Sequence, residues 1–368
     1  MESKKYYSHI AGLKGIACVL IMIGHFLGLY KYAQQFLPGI PFLNAVLDSK
    51  MSFLLDEGYW LYLFFFISGY LISKARVNTV SEIAVKSLNR FFRLAFPILF
   101  SYLIIYFIYT AFGFYNDQTA NLFQCTWFQE FYRGQYSIIQ VLTSPMDVLL
   151  SGNCVLNSPY WVLKEMFAAS VMIYVLRYVY SLLSKNNEAL CFFVLILVTF
   201  AFIMGSSPII AACLIGMLLS VYEEVDGILK KPYFSFGVIL LAMTQYAFSG
   251  TYLFNLFFVF LILYVPESKL FDGFLSLKPI QFLGKISWGI YSFHWPLMCS
   301  LGAMLMITME PEMGLLNSYA LSCGLTAIAT LMVSVVFYFT FERLSSYLSK
   351  KIDICLEKLI SKFSLLKS

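Results

Sequence analysis

Along this chain, long apolar stretches alternate with short polar ones, at the spacing of helices that cross a membrane. A crossing needs about 20 mostly apolar residues to traverse roughly 30 Å of hydrocarbon. Ten stretches meet or approach that length: Ile10–Leu29, Ser52–Ile72, Leu94–Phe112, Tyr160–Leu183, Ala189–Met204, Pro208–Tyr222, Ser235–Ser249, Tyr252–Val265, Ile286–Thr308 and Asn317–Phe341. The pattern predicts an all-α, polytopic membrane helix bundle of about ten transmembrane helices. Only Gly250 and Thr251 separate two of these stretches, so a tight re-entrant turn competes there with two full crossings. No repeat at fixed period and no low-complexity run interrupts the pattern. Residues 1–341 read as one membrane core. Residues 342–368 read as a basic amphipathic tail in which Lys alternates with Leu, Ile and Phe, suited to an anionic lipid surface.

Charge placement orients the bundle. Loops facing the cytoplasm collect Lys and Arg. With ten crossings and both termini cytoplasmic, 21 of the 25 basic residues fall on the inner side. Only Lys31, Lys50, Arg133 and Lys164 stay outside. Composition agrees: of 368 residues, 60% are hydrophobic and 12% charged, against about half and a quarter in soluble domains. The first apolar run is too long for a cleaved signal, and no small-residue cleavage site follows it, so it reads as a retained helix. These features predict a multi-pass membrane protein with lipid as a partner. They point to no nucleic acid and no metal. Cys125 and Cys154 share the long outer loop Gly113–Pro159 and would pair only if that side is oxidising and the geometry allows.

Ionisable groups inside hydrocarbon cost about 2.5–3.5 kcal/mol each on insertion scales, so each one calls for a reason. His25 lies in AGLKGIACVLIMIGHF, eleven residues after Lys14. Eleven residues turn about 1100°, within about 20° of three full turns, so the two side chains share a face about 16 Å apart along the axis. Lys14 at the inner mouth suits a phosphate, and an imidazole deep in the membrane suits a general base. The pantetheine arm of coenzyme A is of comparable length to the gap. A plain interfacial lysine and a packing histidine explain the pair equally well. His294 lies two residues before Pro296, which should free backbone groups and kink its helix. Either His294 borders a cavity or it bonds a freed carbonyl. Glu165, in SPYWVLKEMF, lies at a depth that roughly matches that of His25 and would orient the imidazole or partner Lys164. Arg90 and Arg93, in SLNRFFRLAFP, share a helix face and offer forks to phosphate oxygens, or simply mark the inner side.

Taken together and in order, these runs resemble the integral-membrane acyltransferase family three, which includes bacterial O-antigen and exopolysaccharide O-acetyltransferases. The resemblance spans Leu13 to about Arg343. The first helix matches the family's spacing of a basic residue, ten others and a histidine, with Lys14 standing where the family has arginine. FFFISGYLI, which contains Ser68, looks like the aromatic-rich second helix. NRFFRLAFP, YWVLKEMF with Trp161, LGKISWGIYSFHWPL and Phe341-Glu342-Arg343 look like later family segments. The resemblance implies transfer of an acyl group, usually acetyl, from cytoplasmic acetyl-coenzyme A to a hydroxyl of a surface or lipid-linked saccharide. It implies His25 as the key catalytic residue. Combined with the residue readings above, Glu165 is expected to assist His25 as a catalytic group, Lys14, Arg90 and Arg93 to dock the donor, and His294, Ser68 and Trp161 to be further site residues. Two departures stand out: Lys14 lacks the bidentate fork of arginine, and Tyr62 replaces an aspartate found in many members.

Two other classes compete. A transporter or exporter of a small or lipid-linked saccharide would line its pathway with the same histidines and the kink at Pro296. A polymerase of lipid-linked sugars would want arginine in its large outer loop, which here holds only Arg133.

Overall fold

The computed structural model describes residues 2–33, 40–49, 52, 55–184, 191, 194–199, 201, 207–222 and 269–365. Every regular element among them is a helix. The expected stretches Ser235–Ser249 and Tyr252–Val265 lie outside the described residues, as does half of Ala189–Met204. Four described stretches are long and apolar enough to cross a membrane: His9–Tyr32, Val80–Phe112, Ser158–Leu183 and Ser287–Leu356. The last holds two of the expected crossings, and Gly314, at φ 78°, breaks the helix between them.

The first helix, α1 (Glu2–Ala33), runs unbroken through both Lys14 and His25. After α2 (Pro41–Leu47), α3 (Glu57–Ser73) starts at Asp56, whose carboxylate accepts from the Gly58 amide at 2.8 Å. At 17 residues, α3 lies at the short end of the lengths that cross a membrane. Helix α4 (Val80–Phe112) fuses most of the basic loop between the second and third apolar stretches with the third stretch into 33 residues, about 50 Å at 1.5 Å per residue. Its start is fixed by Thr79, which accepts from the Glu82 amide at 3.3 Å, while Glu82 reaches back to the Asn78 amide at 3.1 Å.

The long loop after α4 folds into α5 (Asn116–Phe123), α6 (Thr126–Gln129) and α7 (Ile138–Met146), the last opened by a capping box of Ser137 and Gln140. Cys125 and Cys154 are both free thiols, so no bridge joins them. Burial raises the pKa of each, which disfavours the reactive thiolate. A 3₁₀ turn (Ser158–Val162) leads into α8 (Leu163–Leu183), and α9 (Pro208–Tyr222) packs on α3 and α8.

Helices α10 (Lys269–Leu275) and α11 (Lys278–Lys285) precede α12 (Ser287–Leu297), a π-helical turn (Met298–Gly302) and α13 (Ala303–Phe337). A second π-helical turn (Tyr338–Glu342) leads to α14 (Arg343–Leu365). The tail is therefore helical, and it packs along α4.

Helix α1 is held among α3, α11 and α12. Its crossing with α11 is backbone on backbone. A Cβ on Gly15 would sit 2.5 Å from the Gly284 amide nitrogen, and one on Gly284 would land on the Ala11 carbonyl. Small residues let membrane helices approach this closely, and the contact falls beside Lys14. Three apolar clusters make up the core, and Tyr291 of α12 packs against all three.

Candidate active site

Two cavities flank α1 along the stripe that carries Lys14 and His25. The first, of about 450 Å³, is cationic: Lys14, Arg90 and Arg93 line it together with Ser68, Trp288 and Glu342. Arg90 Nε donates to Ser170 Oγ at 3.3 Å, which fixes one edge of its guanidinium. Glu342 acts electrostatically on Lys14. Helix α14 closes this cavity with Ser345, Ser346, Ser349 and Lys350. The tail expected to rest on lipid thus turns one face onto a polar site.

The second cavity, of about 340 Å³, contains His25 among Trp127, Phe131, Trp161 and Trp295, with Asp56 and Glu57 at its border. Leu61 and Tyr291 line both cavities, so these two side chains form the partition between them. The Tyr291 hydroxyl is held by the Pro159 carbonyl, to which it donates.

His25 meets His294 across 269 residues of chain. His294 Nε2 lies 3.1 Å from His25 Nδ1. His25 Nδ1 also faces the Ile21 carbonyl at 3.1 Å, and His294 Nδ1 faces the Ile290 carbonyl at 2.9 Å. Carbonyl oxygens only accept, so each Nδ1 carries a hydrogen. A neutral His294 then presents a bare Nε2 that accepts from His25 Nδ1–H. His25 is left with Nε2 as its one basic nitrogen. His294 is fully buried. Trp295 packs on His25 with ring centroids 5.5 Å apart.

Pro296 explains why α12 holds this pose. Proline lacks the N–H that would bond the carbonyl four residues back, which is that of Ser292. Asn157 Nδ2 donates to that carbonyl at 3.0 Å. The freed carbonyl therefore goes to Asn157, while His294 faces the Ile290 carbonyl. The Tyr160 hydroxyl adds bonds to Ser292 Oγ at 2.5 Å and Ser101 Oγ at 2.8 Å, tying α12 to α4 and the 3₁₀ turn.

The model of the acyltransferase 3 family, described as an acyltransferase domain, matches residues 8–339, nearly the whole chain. The chain belongs to the acyltransferase 3 family. No match was found among curated proteins or among solved structures. Family membership implies acyl transfer, with an acyl donor as co-substrate and a hydroxyl-bearing acceptor.

In this acyltransferase, Lys14, Arg90, Arg93 and Ser68 gather in the cationic cavity, and His25 and Trp161 in the aromatic one, with His294 behind His25. Ser68 Oγ points to Met166 Sδ at 3.7 Å. Glu165 goes elsewhere. It lines neither cavity and accepts a hydrogen bond from Ser207 at the start of α9, because α8 turns that face toward α9. Sequence reasoning missed Glu57. It falls inside the expected stretch Ser52–Ile72 and borders the His25 cavity.

Proposed function

We propose that the protein is an O-acetyltransferase of a bacterial plasma membrane, with both ends on the cytoplasmic side. It moves an acetyl group from cytoplasmic acetyl-coenzyme A to a hydroxyl of a surface or lipid-linked saccharide. The observation that carries this reading is the pair of adjoining cavities: three cations at one end, an imidazole backed by a second histidine at the other, and Leu61 and Tyr291 between them.

The phosphates of the donor dock on Lys14, Arg90 and Arg93, with the Arg forks matching phosphate oxygens. Helix α14 forms a wall of the same dock. The pantetheine arm runs along α1 past Leu61 and Tyr291, and the helical rise of about 16 Å sets the thioester near His25. The acceptor hydroxyl gives its proton to His25 Nε2 as its oxygen attacks the thioester carbonyl carbon. The resulting tetrahedral oxyanion collapses, the C–S bond breaks, and the departing sulfur takes the proton back from Nε2. The products are the O-acetyl ester and free coenzyme A, with no net proton or electron change. His294 accepts from Nδ1–H throughout, so it takes the orienting role expected of Glu165.

The test uses the full-length protein in membranes with labelled acetyl-coenzyme A, following acceptor-dependent release of free coenzyme A. His25→Ala is expected to cut release about a hundredfold or more while leaving membrane insertion intact. Normal transfer by that variant overturns the reading. A saccharide exporter would release no coenzyme A at all.

A further inference from the structure

Two residues that line the aromatic cavity each carry a buried polar atom with no hydrogen-bond partner among the described residues. Glu57 Oε2 is buried without a hydrogen-bond partner, and so is Trp295 Nε1. Both residues line the same cavity as His25. One is an acceptor that lacks a donor, and the other a donor that lacks an acceptor. A buried polar atom left unpaired costs on the order of 1–3 kcal/mol, so a site that keeps two of them calls for a ligand that satisfies both. Their placement is built in. Glu57 is pressed against α1 at Gly24, the residue before His25, where a Cβ would come within 3.0 Å of Glu57 Oε2. Only a residue without a side chain leaves room for the carboxylate there. Trp295 is the residue after His294 and is 1% exposed.

We propose that Glu57 and Trp295 form the acceptor subsite of this cavity, and that it takes an uncharged sugar ring and rejects an acidic one. The inference rests on the transferase reading above. A sugar hydroxyl next to the one being acetylated donates to Glu57, and a ring or neighbouring oxygen accepts from Trp295 Nε1–H. Trp127, Phe131 and Trp161 offer apolar faces to the C–H side of the ring. A carboxylate on the acceptor would instead lie against Glu57, with Asp56 close by. Like charges so placed repel strongly. Among the described residues, nothing cationic lines this cavity, whereas the neighbouring one collects Lys14, Arg90 and Arg93. The molecule thus sorts anionic from neutral ligands between its two chambers.

The test is a panel of methyl glycosides in matched pairs, the neutral hexoside and its uronic acid, in the glucose, galactose and mannose series. They are offered with acetyl-coenzyme A to the purified full-length protein. Wild type is expected to acetylate at least one neutral glycoside with kcat/KM at least about tenfold above its uronic partner. Glu57→Gln is expected to raise the KM for that glycoside about tenfold, with the loss in KM rather than kcat, and to bring the pair within about threefold of each other. Trp295→Phe keeps the ring and removes the N–H, and should raise the same KM without changing the neutral-to-acidic ratio. Equal use of both partners by wild type overturns the proposal, as does an unchanged ratio in Glu57→Gln. His25-dependent release of coenzyme A with transfer to no glycoside also overturns it, while leaving the transferase reading standing. No His25-dependent release in any arm overturns both.

Discussion

A general base must present a bare nitrogen to the proton it takes, and in the proposed reaction that choice is made for His25 by its neighbours. Were Nδ1 bare, it would face the Ile21 carbonyl with no hydrogen between them. Because His294 has its own Nδ1 committed to Ile290, only its Nε2 is left to accept from His25. Removing that acceptor should leave the ring free to turn. We expect His294→Phe to lower kcat about 10–100-fold, the range for losing the group that orients a functional histidine. His294→Gln, whose side-chain oxygen can still accept, should recover part of it. Steady-state kinetics with both variants checks this, and equal loss in the two would assign His294 to packing alone. Lys14 carries a second expectation. Its compact ammonium makes no fork, so Lys14→Arg should lower the KM for acetyl-coenzyme A and Lys14→Glu should raise it, each by about tenfold in a donor titration. The Lys14–His25 relation was legible in the sequence, because helical period alone places two residues eleven apart on one stripe. The contact with His294 was not. Its register is set by how α12 packs on α1, which no local pattern encodes. Glu57 escaped for a related reason: a carboxylate at the first turn of a helix has an ordinary local role, and only the packing against Gly24 gives it another.

At the level of elements, the site depends on how closely α1 can lie on its neighbours. The crossing at Gly15 and Gly284 sets backbone against backbone one residue from Lys14. Gly15→Ala or Gly284→Ala should force the helices apart at a cost of about 1–3 kcal/mol, the usual penalty of overpacking. The apparent Tm in detergent should fall, and the donor KM should rise because Lys14 moves with α1. A variant that keeps both values would mean the crossing yields freely. The apolar stretches of the described helices were read correctly in position, since a hydrophobic run of this length is rare outside a membrane span. Their joins were less legible. Most of the basic loop and the third stretch form one helix, α4, because nothing between Ser87 and Leu94 breaks it: Pro97 lies a turn further on and is carried inside. The tail's alternation of Lys with apolar residues fits a lipid surface and a protein groove equally, and packing along α4 turns its serines to the cationic cavity.

For the whole molecule, the question is whether the two chambers act as one. Each alone is ordinary: an anion site of three cations, and an aromatic pocket with a histidine. Acyl transfer from acetyl-coenzyme A needs both, since that donor carries phosphates at one end and a thioester at the other, and both must be held at once. The partition is therefore the most informative place to perturb. Leu61 comes from α3 and Tyr291 from α12, and Tyr291 also joins the three apolar clusters, so the core itself positions the gap. Replacing Leu61 by Trp adds bulk at the waist while leaving Lys14, Arg90 and Arg93 as they are. If the arm passes there, Leu61→Trp should bind adenosine 3′,5′-bisphosphate, the nucleotide end of the donor, within about twofold of wild type. It should also lose acetyl transfer by about a hundredfold, since an error of only about 1 Å in reactant placement can be that costly. Nucleotide binding by calorimetry and transfer by coenzyme A release separate the two effects. Retained transfer would place the route elsewhere, and joint loss of both would mean that bulk at the waist collapses the cationic chamber. The expected split, with the phosphates still held and the thioester stranded, follows only if one ligand spans both chambers.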